Sequence, residues 1–274
     1  MINGVAALSN PVSDRTDLLR TLASAPIVVL TFSHSEVELL GDFLASSSSL
    51  FCTTRTGLLP MCESVASTWM QIERRERLSA LASSSVRALV SSMALACRLA
   101  SGMRDTESGP PRWCETAIGG MSSAGTFLKI FPQTKFICFY RRCDEVIAEA
   151  IESNPWGFGK TEFWAYSHAE PGNNLATVGT YWVERSRALL DFELAQPGAC
   201  LRVRREDLVS APQEQMRLVW SFLGLTPPSE ATRPRCDPAV TGRGSAPQVP
   251  VDRLPPPLRT AINELHASLG YSPL

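Results

Sequence analysis

Short apolar runs alternate with amphipathic stretches along most of the chain, a pattern that predicts β-strands separated by helices. Residues 27–30 and 135–140 are apolar almost throughout, which is typical of strands buried on both faces. Shorter strands are predicted near Phe51, at 112–115 and at 200–204. Strands that alternate with helices favour a mostly parallel sheet covered by helices on both faces.

The amphipathic stretches carry apolar residues at the spacing of one helix face. In the helix predicted at 77–98 these residues are Leu78, Leu81, Val86, Leu89 and Met93, and we expect them to face the sheet or the substrate. The predicted helices span residues 14–22, 35–45, 59–71, 77–98, 124–131, 144–152, 175–193, 212–223 and 258–269.

No internal repeat divides the chain, and we expect one domain over residues 1–274. A proline-rich extension at 226–257 precedes the last helix, at 258–269. The expected architecture is a three-layer α/β fold, with a mostly parallel central sheet and helices on both faces.

The composition is that of an ordinary globular protein, with 44% hydrophobic and 19% charged residues among 274. A net charge of −1 gives no electrostatic footprint for nucleic acid or an anionic membrane. We see no apolar run that approaches the roughly 18–20 residues of a membrane span, and no basic leader at the N-terminus. We therefore expect no nucleic-acid partner, no membrane association and a cytoplasmic location.

The eight cysteines form no Cys-x-x-Cys pair and lie mostly in apolar segments. This favours buried thiols in a reducing compartment over a disulfide framework. The chain has three histidines only, and we expect no metal site.

The turn after the first strand has the layout that holds a phosphate at a helix N-terminus. Its residues are His34, Ser35, Glu36, Val37 and Glu38, where such a loop uses glycine, hydroxyls and a cation. Two carboxylates would repel a bound anion by about a few kcal/mol at partly buried spacing. The turn therefore predicts the fold clearly and disfavours anion binding.

Several short segments occur in a specific order along the chain. They are 131–141 (FPQTKFICFYR), 155–157 (PWG), 171–173 (PGN), 181–182 (YW), 201–208 (LRVRREDL), 222–225 (FLGL), 241–244 (TGRG) and 269–274 (LGYSPL). In this order they resemble the sulfotransferase superfamily, in particular bacterial members that use 3′-phosphoadenosine 5′-phosphosulfate (PAPS). The resemblance implies a P-loop, nucleotide-kinase-like α/β fold with a phosphosulfate loop after the first strand.

The resemblance also implies which residues would bind PAPS. Arg141 matches the arginine that follows a later strand and contacts the 3′-phosphate, and Arg243 matches a basic residue that closes over that phosphate. Ser35 would contribute from the loop. These three residues are the expected cofactor-binding set if PAPS is used.

The chain departs from the family pattern at the remaining donor contacts. His34 replaces the loop cation, Glu36 replaces a glycine, and Glu38 stands with Val37 in place of hydroxyls. Glu149 occupies the position of the serine that accompanies Arg141. We therefore favour no cofactor.

Each of these positions has two interpretations. His34, Glu36 and Glu38 are candidate acid–base residues, or solvated groups at a helix N-terminus, where the dipole favours negative charge. Glu149 either forms a salt bridge with Arg141, which we favour, or leaves Arg141 available to an anion. Glu115 is a candidate general base, or a helix-capping carboxylate.

Aromatic residues cluster around the glycines of the segment after residue 153. Trp156, Phe158, Trp164 and Tyr166 are the expected substrate-binding residues, and core packing is the alternative.

Three function classes follow. The favoured one is a biosynthetic enzyme of the sulfotransferase fold that no longer uses PAPS and acts by acid–base catalysis on a small metabolite, free or tethered to a carrier protein, in a cyclisation, elimination or hydrolysis. The second is a PAPS-dependent sulfotransferase that acts on a hydroxyl. The third is a non-catalytic partner protein. The sequence does not indicate an oligomeric state.

Overall fold

The computed structural model describes residues 25–32, 34–102, 110–118, 120–159, 161–168, 171–228 and 249–274, with the backbone alone at 34–38. The helix predicted at 14–22 and most of the extension predicted at 226–257 lie outside the described residues. The described strands are β1 (Ile27–Thr31), β2 (Leu50–Thr54), β3 (Arg112–Ile118), β4 (Lys135–Tyr140) and β5 (Cys200–Arg204).

These strands form one parallel sheet in the order β2-β3-β1-β4-β5, so the predicted fold class is confirmed. The longer described helices are α1 (His34–Ala45), α2 (Leu58–Glu73), α3 (Ala80–Ala100), α4 (Met121–Ile130), α5 (Cys143–Ser153), α6 (Asn174–Ala195), α7 (Arg205–Ser210), α8 (Pro212–Leu223) and α9 (Pro256–Leu269).

Two apolar cores lie on opposite faces of the sheet, because successive residues of a strand point to opposite sides. One core joins the sheet to α1, α7 and α8. The other joins it to α2–α6 and α9. This division makes the three layers of the fold, and all the described strands end at the same edge of the sheet.

The predicted strand at 112–115 continues for three further residues. Thr116, Ala117 and Ile118 extend the ladder alongside β1, where they pair with Val29, Leu30 and Thr31. Glu115 therefore lies within β3 and not at its end, a correction to the expected boundary. The bounds predicted for β4, β5 and α8 coincide with the structure.

The buried face expected for α3 is confirmed at Val86, which is fully buried, and is wrong at the three other predicted residues of this helix. Leu81 is 71% exposed, and Leu89 and Met93 are exposed as well. The buried face carries small residues, Ala82 and Ala94 among them, with Val86 between. Helices α2 and α4 pack closely against α3, and small side chains permit that approach where leucines would not.

The expectation that no apolar run is long enough to cross a membrane is also wrong. Within the part of the chain that the structure describes, α3 passes the test of length and composition, with a mean hydropathy of 1.4. A core helix of a soluble protein passes the same test, so the match is weak evidence.

Candidate functional site

A cavity of about 450 Å³ lies at the carboxyl end of β3. Its wall is formed by the first turns of α2 and α4 together with the strand itself. The lining residues are Arg55, Gly57, Leu59, Pro60, Glu63, Glu115, Ala117, Ile118, Gly120, Ser122 and Ser123. In parallel α/β sheets this edge is where ligands bind.

The turn between β2 and α2 shapes one side of this cavity. Arg55 and Gly57 both adopt left-handed backbone conformations, with φ of 54° and 75°. The conformation is costly for arginine, and such strain collects at functional turns. The turn brings Thr56 between them against the side chain of Glu115.

The Glu115 carboxylate is buried in this wall, with 1% of the residue exposed. Its Oε1 accepts hydrogen bonds from the backbone N–H of Thr56 at 2.9 Å and from the Thr56 hydroxyl at 2.8 Å. Its Oε2 accepts one from the Thr53 hydroxyl. A carboxylate offers about four acceptor positions, so three neutral donors leave one on Oε2.

The direction of the Thr53 hydrogen bond is fixed by a neighbour. The Trp113 indole N–H donates to Thr53 Oγ1 at 2.8 Å. Because an indole can only donate, the single Thr53 hydroxyl proton is left for an acceptor, and Glu115 Oε2 lies much closer to Thr53 Oγ1 than the Cys114 carbonyl at 3.4 Å. Trp113 and Thr53 thus orient Oε2 from behind.

Burial raises the pKa of Glu115 above its ordinary value of 4.5, and the hydrogen bonds from Thr53 and Thr56 oppose that rise. None of the described cations forms an ion pair with Glu115. A carboxylate with a raised pKa beside a cavity is a suitable proton acceptor near neutral pH.

A second carboxylate lines the same cavity. Glu63, on α2, accepts a 2.6 Å hydrogen bond from the hydroxyl of Ser123, on α4. Ser123 is buried, while Glu63 is partly exposed. Sequence reasoning missed this pair, because the two residues lie 60 positions apart and neither belongs to a local motif.

The carboxyl end of β4 has a different organisation. Arg141, which follows the strand, forms an ion pair with Glu149 and a second one with Glu145 at 3.0 Å. Glu145 also pairs with Arg205 at 3.1 Å. The predicted Arg141–Glu149 salt bridge is confirmed, and the Arg141 side chain is only 8% exposed.

Helix α6 anchors the turns after β1 and β4. The Tyr181 hydroxyl donates to the carbonyl of Phe32 at 2.6 Å, directly after β1. The Trp182 indole donates to the carbonyl of Arg141 at 2.9 Å, directly after β4. Tyr181 and Trp182 therefore have a structural role, because they hold the turns that follow β1 and β4.

The start of α5 is fixed by residues close to the C-terminus. His266 Nε2 accepts the backbone N–H of Cys143 at 3.3 Å, and His266 Nδ1 lies 2.9 Å from the carbonyl of Ser272. The neutral tautomer with the proton on Nδ1 satisfies both contacts. Burial lowers the pKa of His266, and the nearby Arg142 guanidinium lowers it further.

The predicted substrate-binding aromatics do not line this cavity. Phe158 is buried and packs on Phe163, so its ring belongs to the core. Tyr166 donates to Glu184 at 2.8 Å, and Trp156 is 98% exposed. Trp164 is half-exposed. The structure does not bring the four together with Glu115, and their role in substrate binding stays a prediction.

The remaining predicted site residues fall outside what the structure describes. Arg243 lies beyond the described residues, as do the side chains of His34, Ser35, Glu36 and Glu38. The backbone shows that α1 begins at His34, three residues after β1 ends at Thr31. No group of three or more His, Cys, Asp or Glu side chains that would suit a metal ion occurs within the described ranges.

A parallel sheet of this order, with a helix starting close after its central strand and a cavity at the carboxyl edge, defines an α/β protein of the phosphate-binding-loop type. The chain belongs to the sulfotransferase family, whose profile matches residues 26–229. No curated protein sequence matches the chain.

Solved structures support the fold. The sulfotransferase domain from the curacin biosynthetic pathway is 19% identical, with a TM-score of 0.55 over 90% of this chain and 98% of that one. The sulfotransferase domain of the Synechococcus PCC 7002 olefin synthase is 18% identical, with a TM-score of 0.53 over 90% and 95%. A sulfotransferase from Alicyclobacillus acidocaldarius is 13% identical, with a TM-score of 0.50 over 90% and 96%. At these identities the likeness concerns the fold alone.

Proposed function

We propose that this member of the sulfotransferase family is an enzyme that acts by general acid–base catalysis on a small metabolite bound in the cavity at the end of β3. The observation that carries the proposal is the Glu115 carboxylate, buried at the cavity wall and held by neutral donors. A carboxylate held in this way is oriented and is not neutralised by a cation.

In this proposal Glu115 Oε2 accepts a proton from the substrate and returns it later in the reaction. Glu63 and Ser123, which line the same cavity, hold or relay a second proton through their 2.6 Å hydrogen bond. Proton transfer by positioned groups supplies about 10²–10⁴ in rate, which is enough for a cyclisation, an elimination or a hydrolysis of an activated substrate. His34, Glu36 and Glu38 remain further candidates for acid–base roles.

We also propose that PAPS is not the cofactor. Arg141, the expected partner of the 3′-phosphate, already contacts Glu145 and Glu149. A phosphate arriving at this place would have to displace two carboxylates or lie beside them. Each charge-assisted hydrogen bond that the phosphate fails to form weakens its binding by about 1.5–3 kcal/mol.

The substrate in this proposal is a cytoplasmic metabolite, free or carried by a carrier protein. Its class is supported by two of the similar structures, which are domains of a biosynthetic pathway and of an olefin synthase. Leu59 and Ile118 give the cavity an apolar part, and Arg55 gives it a cation for an anionic group.

A second candidate is a PAPS-dependent sulfotransferase that acts on a hydroxyl. It is favoured by family membership and by Arg141, which the chain retains at the end of β4. In that case Arg141 and Arg243 would contact the 3′-phosphate, and Ser35 the phosphosulfate.

Calorimetric titration with 3′-phosphoadenosine 5′-phosphate, the product of the donor, separates the two candidates. We expect no measurable heat of binding with the folded protein. Micromolar binding, abolished in Arg141→Ala, would overturn the PAPS-independent proposal and support the second candidate. The variant Glu115→Gln tests the acid–base role independently of this result.

A further inference from the structure

Two cysteines are direct neighbours on adjacent strands next to the candidate site. Cys52 of β2 and Cys114 of β3 are register partners in the parallel ladder. Both face the core formed with α1, α7 and α8, opposite the face that carries Glu115. Cys114 is buried, whereas Cys52 is half-buried on the edge strand of the sheet. Cys52 is therefore the more exposed residue of the pair.

The neighbouring Cys52 thiol raises the pKa of Cys114, and burial raises it further. Register partners in a sheet lie about 4.7–4.9 Å apart across the strands. This falls within the range of about 4.4–6.8 Å that Cα atoms joined by a disulfide occupy.

A second cysteine pair on adjacent strands differs in register. Cys138 and Cys200 lie on β4 and β5, and the Cys200 thiol, together with burial, raises the pKa of Cys138. Their register partners are Arg202 and Phe136, however, so the two cysteines are offset by two residues. Such diagonal neighbours lie about 7–8 Å apart, beyond the separation of about 7 Å at which a disulfide requires backbone movement.

We propose that Cys52 and Cys114 form an oxidative modification site, at which a hydroperoxide converts the two thiols into a reversible disulfide. The Cys52 thiolate attacks the peroxide oxygen, which gives a sulfenic acid and releases water when the oxidant is hydrogen peroxide. The Cys114 sulfur then attacks Cys52 Sγ, the Cys114 proton leaves with the hydroxide as a second water, and the disulfide forms. Two thiols and one peroxide thus yield one disulfide and two waters.

The disulfide would affect the site through the next residue of each strand. Thr53 follows Cys52 and Glu115 follows Cys114, and their side chains share the hydrogen bond that orients Oε2. Joining the sulfurs changes the local geometry of the two strands on one face, and we expect this change to shift the hydrogen bond on the other face. The effect on catalysis rests on the proposed function, but formation of the disulfide does not.

The test is peptide mapping of the full-length protein after treatment with hydrogen peroxide under native conditions. Remaining thiols are alkylated in denaturant, and the digest is analysed by mass spectrometry without reduction. We expect one linked peptide pair, Cys52 with Cys114, at about tenfold or more the abundance of a Cys138–Cys200 link, since only the first pair lies within disulfide range. Dithiothreitol should restore both thiols.

Two matched variants complete the test. Cys52→Ser should abolish the link, whereas Cys200→Ser, also half-buried and on the opposite edge strand, should leave it unchanged. Oxidation of Cys52 to sulfinic acid without a link, or equal linkage of Cys138 with Cys200, would overturn the proposal. If the link forms but the activity of the oxidised protein is unchanged, the modification site stands and its coupling to the Thr53–Glu115 hydrogen bond is overturned, whereas loss of the proposed function itself would show as an unchanged kcat in Glu115→Gln.

Discussion

The carboxyl ends of β3 and β4 lie on opposite sides of β1 at one edge of the sheet. The partners that surround the buried charged group differ between these two ends. At β3, Glu115 is held by hydroxyl and amide donors and faces a cavity. At β4, Arg141 is neutralised by two carboxylates in a packed cluster. A buried charge without a counter-ion is expensive, and its retention beside a cavity favours function over stability.

Under the proposed function, the comparison also describes how a family scaffold would change its chemistry. Arg141, the residue that would pair with a ligand phosphate, forms an ion pair with Glu149 of the same chain. This ion pair stabilises the fold at the place where a bound cofactor would otherwise do so. The end of β3 keeps its open space and an oriented carboxylate. The site of chemistry would then lie on the β3 side of the sheet.

The largest expected effect concerns Glu115. Glu115→Gln keeps the shape of the side chain and removes the proton acceptor, so kcat should fall by about 10²–10⁴, as for the loss of a general base. Steady-state kinetics with the true substrate measure this change. Glu214→Gln, on the exposed face of α8, is the matched control and should leave kcat unchanged. If kcat in Glu115→Gln equalled that of the unchanged protein, the end of β3 would have no catalytic role that distinguishes it from the end of β4.

The next effect concerns stability at the end of β4. Arg141→Ala leaves Glu149 without this ion pair, and the free energy of unfolding should fall by about 3 kcal/mol, at the low end of the range for buried pairs because the glutamate is partly exposed. Urea denaturation measures the decrease. Arg253→Ala, at an exposed position, should change stability by less than about 0.5 kcal/mol. If Arg141→Ala left the free energy of unfolding unchanged, the cluster would not stabilise the fold.

The ionic strength of the solution should affect the stability of variants at the ends of β3 and β4 differently. Glu149→Gln and Thr53→Val should each cost about 1–2 kcal/mol of stability. The first removes a charge that pairs with Arg141, and the second removes the hydroxyl that accepts from Trp113 and donates to Glu115. The cost at Glu149 should shrink in high salt, because it arises from a partly exposed ion pair. The cost at Thr53 should not, because its partners are a neutral indole and a buried carboxylate. Urea denaturation at low and high ionic strength measures both, and equal salt dependence would contradict the comparison.

The smallest effects are opposite responses to pH. Glu115 has a raised pKa, so its contribution to stability is complete below its ordinary value of 4.5 and is lost as the pH rises through the folded value. His266 has a lowered pKa, so its contribution is complete above 6.5 and is lost as the pH falls through the folded value.

The two variants should therefore change the pH dependence of the free energy of unfolding with opposite signs. Glu115→Gln should remove a loss of stability that accompanies a rise in pH above 4.5, and His266→Gln should remove a loss that accompanies a fall in pH below 6.5. If both variants change the slope of stability against pH with the same sign, one of the two pKa directions is wrong.

The fold could be predicted from the sequence because its signals are local. The apolar run of β4, the strand at 200–204 and the Pro212 to Gly224 helix each have composition or caps that specify their bounds. The face of α3 could not be predicted, because several leucines share the helix with a small-residue stripe. Packing against α2 and α4 selected that stripe.

The candidate site could be predicted only in part. Glu115 was a candidate from its position in the resemblance, and the Arg141–Glu149 pair from spacing of about two helical turns. The Glu63–Ser123 hydrogen bond joins elements that only the tertiary fold brings together. The same holds for the Thr53 and Thr56 donors, which lie on a different strand and turn from Glu115.

The indole of Trp113 gives this protein an internal reporter. Its N–H donates a hydrogen bond to the Thr53 hydroxyl, which in turn donates one to the carboxylate of Glu115. Protonation of that carboxylate weakens its pull on the hydroxyl, and the nuclear magnetic resonance of the indole proton should shift in response. Among the six tryptophans of the chain, one resonance would then titrate with the proposed proton acceptor, before any substrate is known.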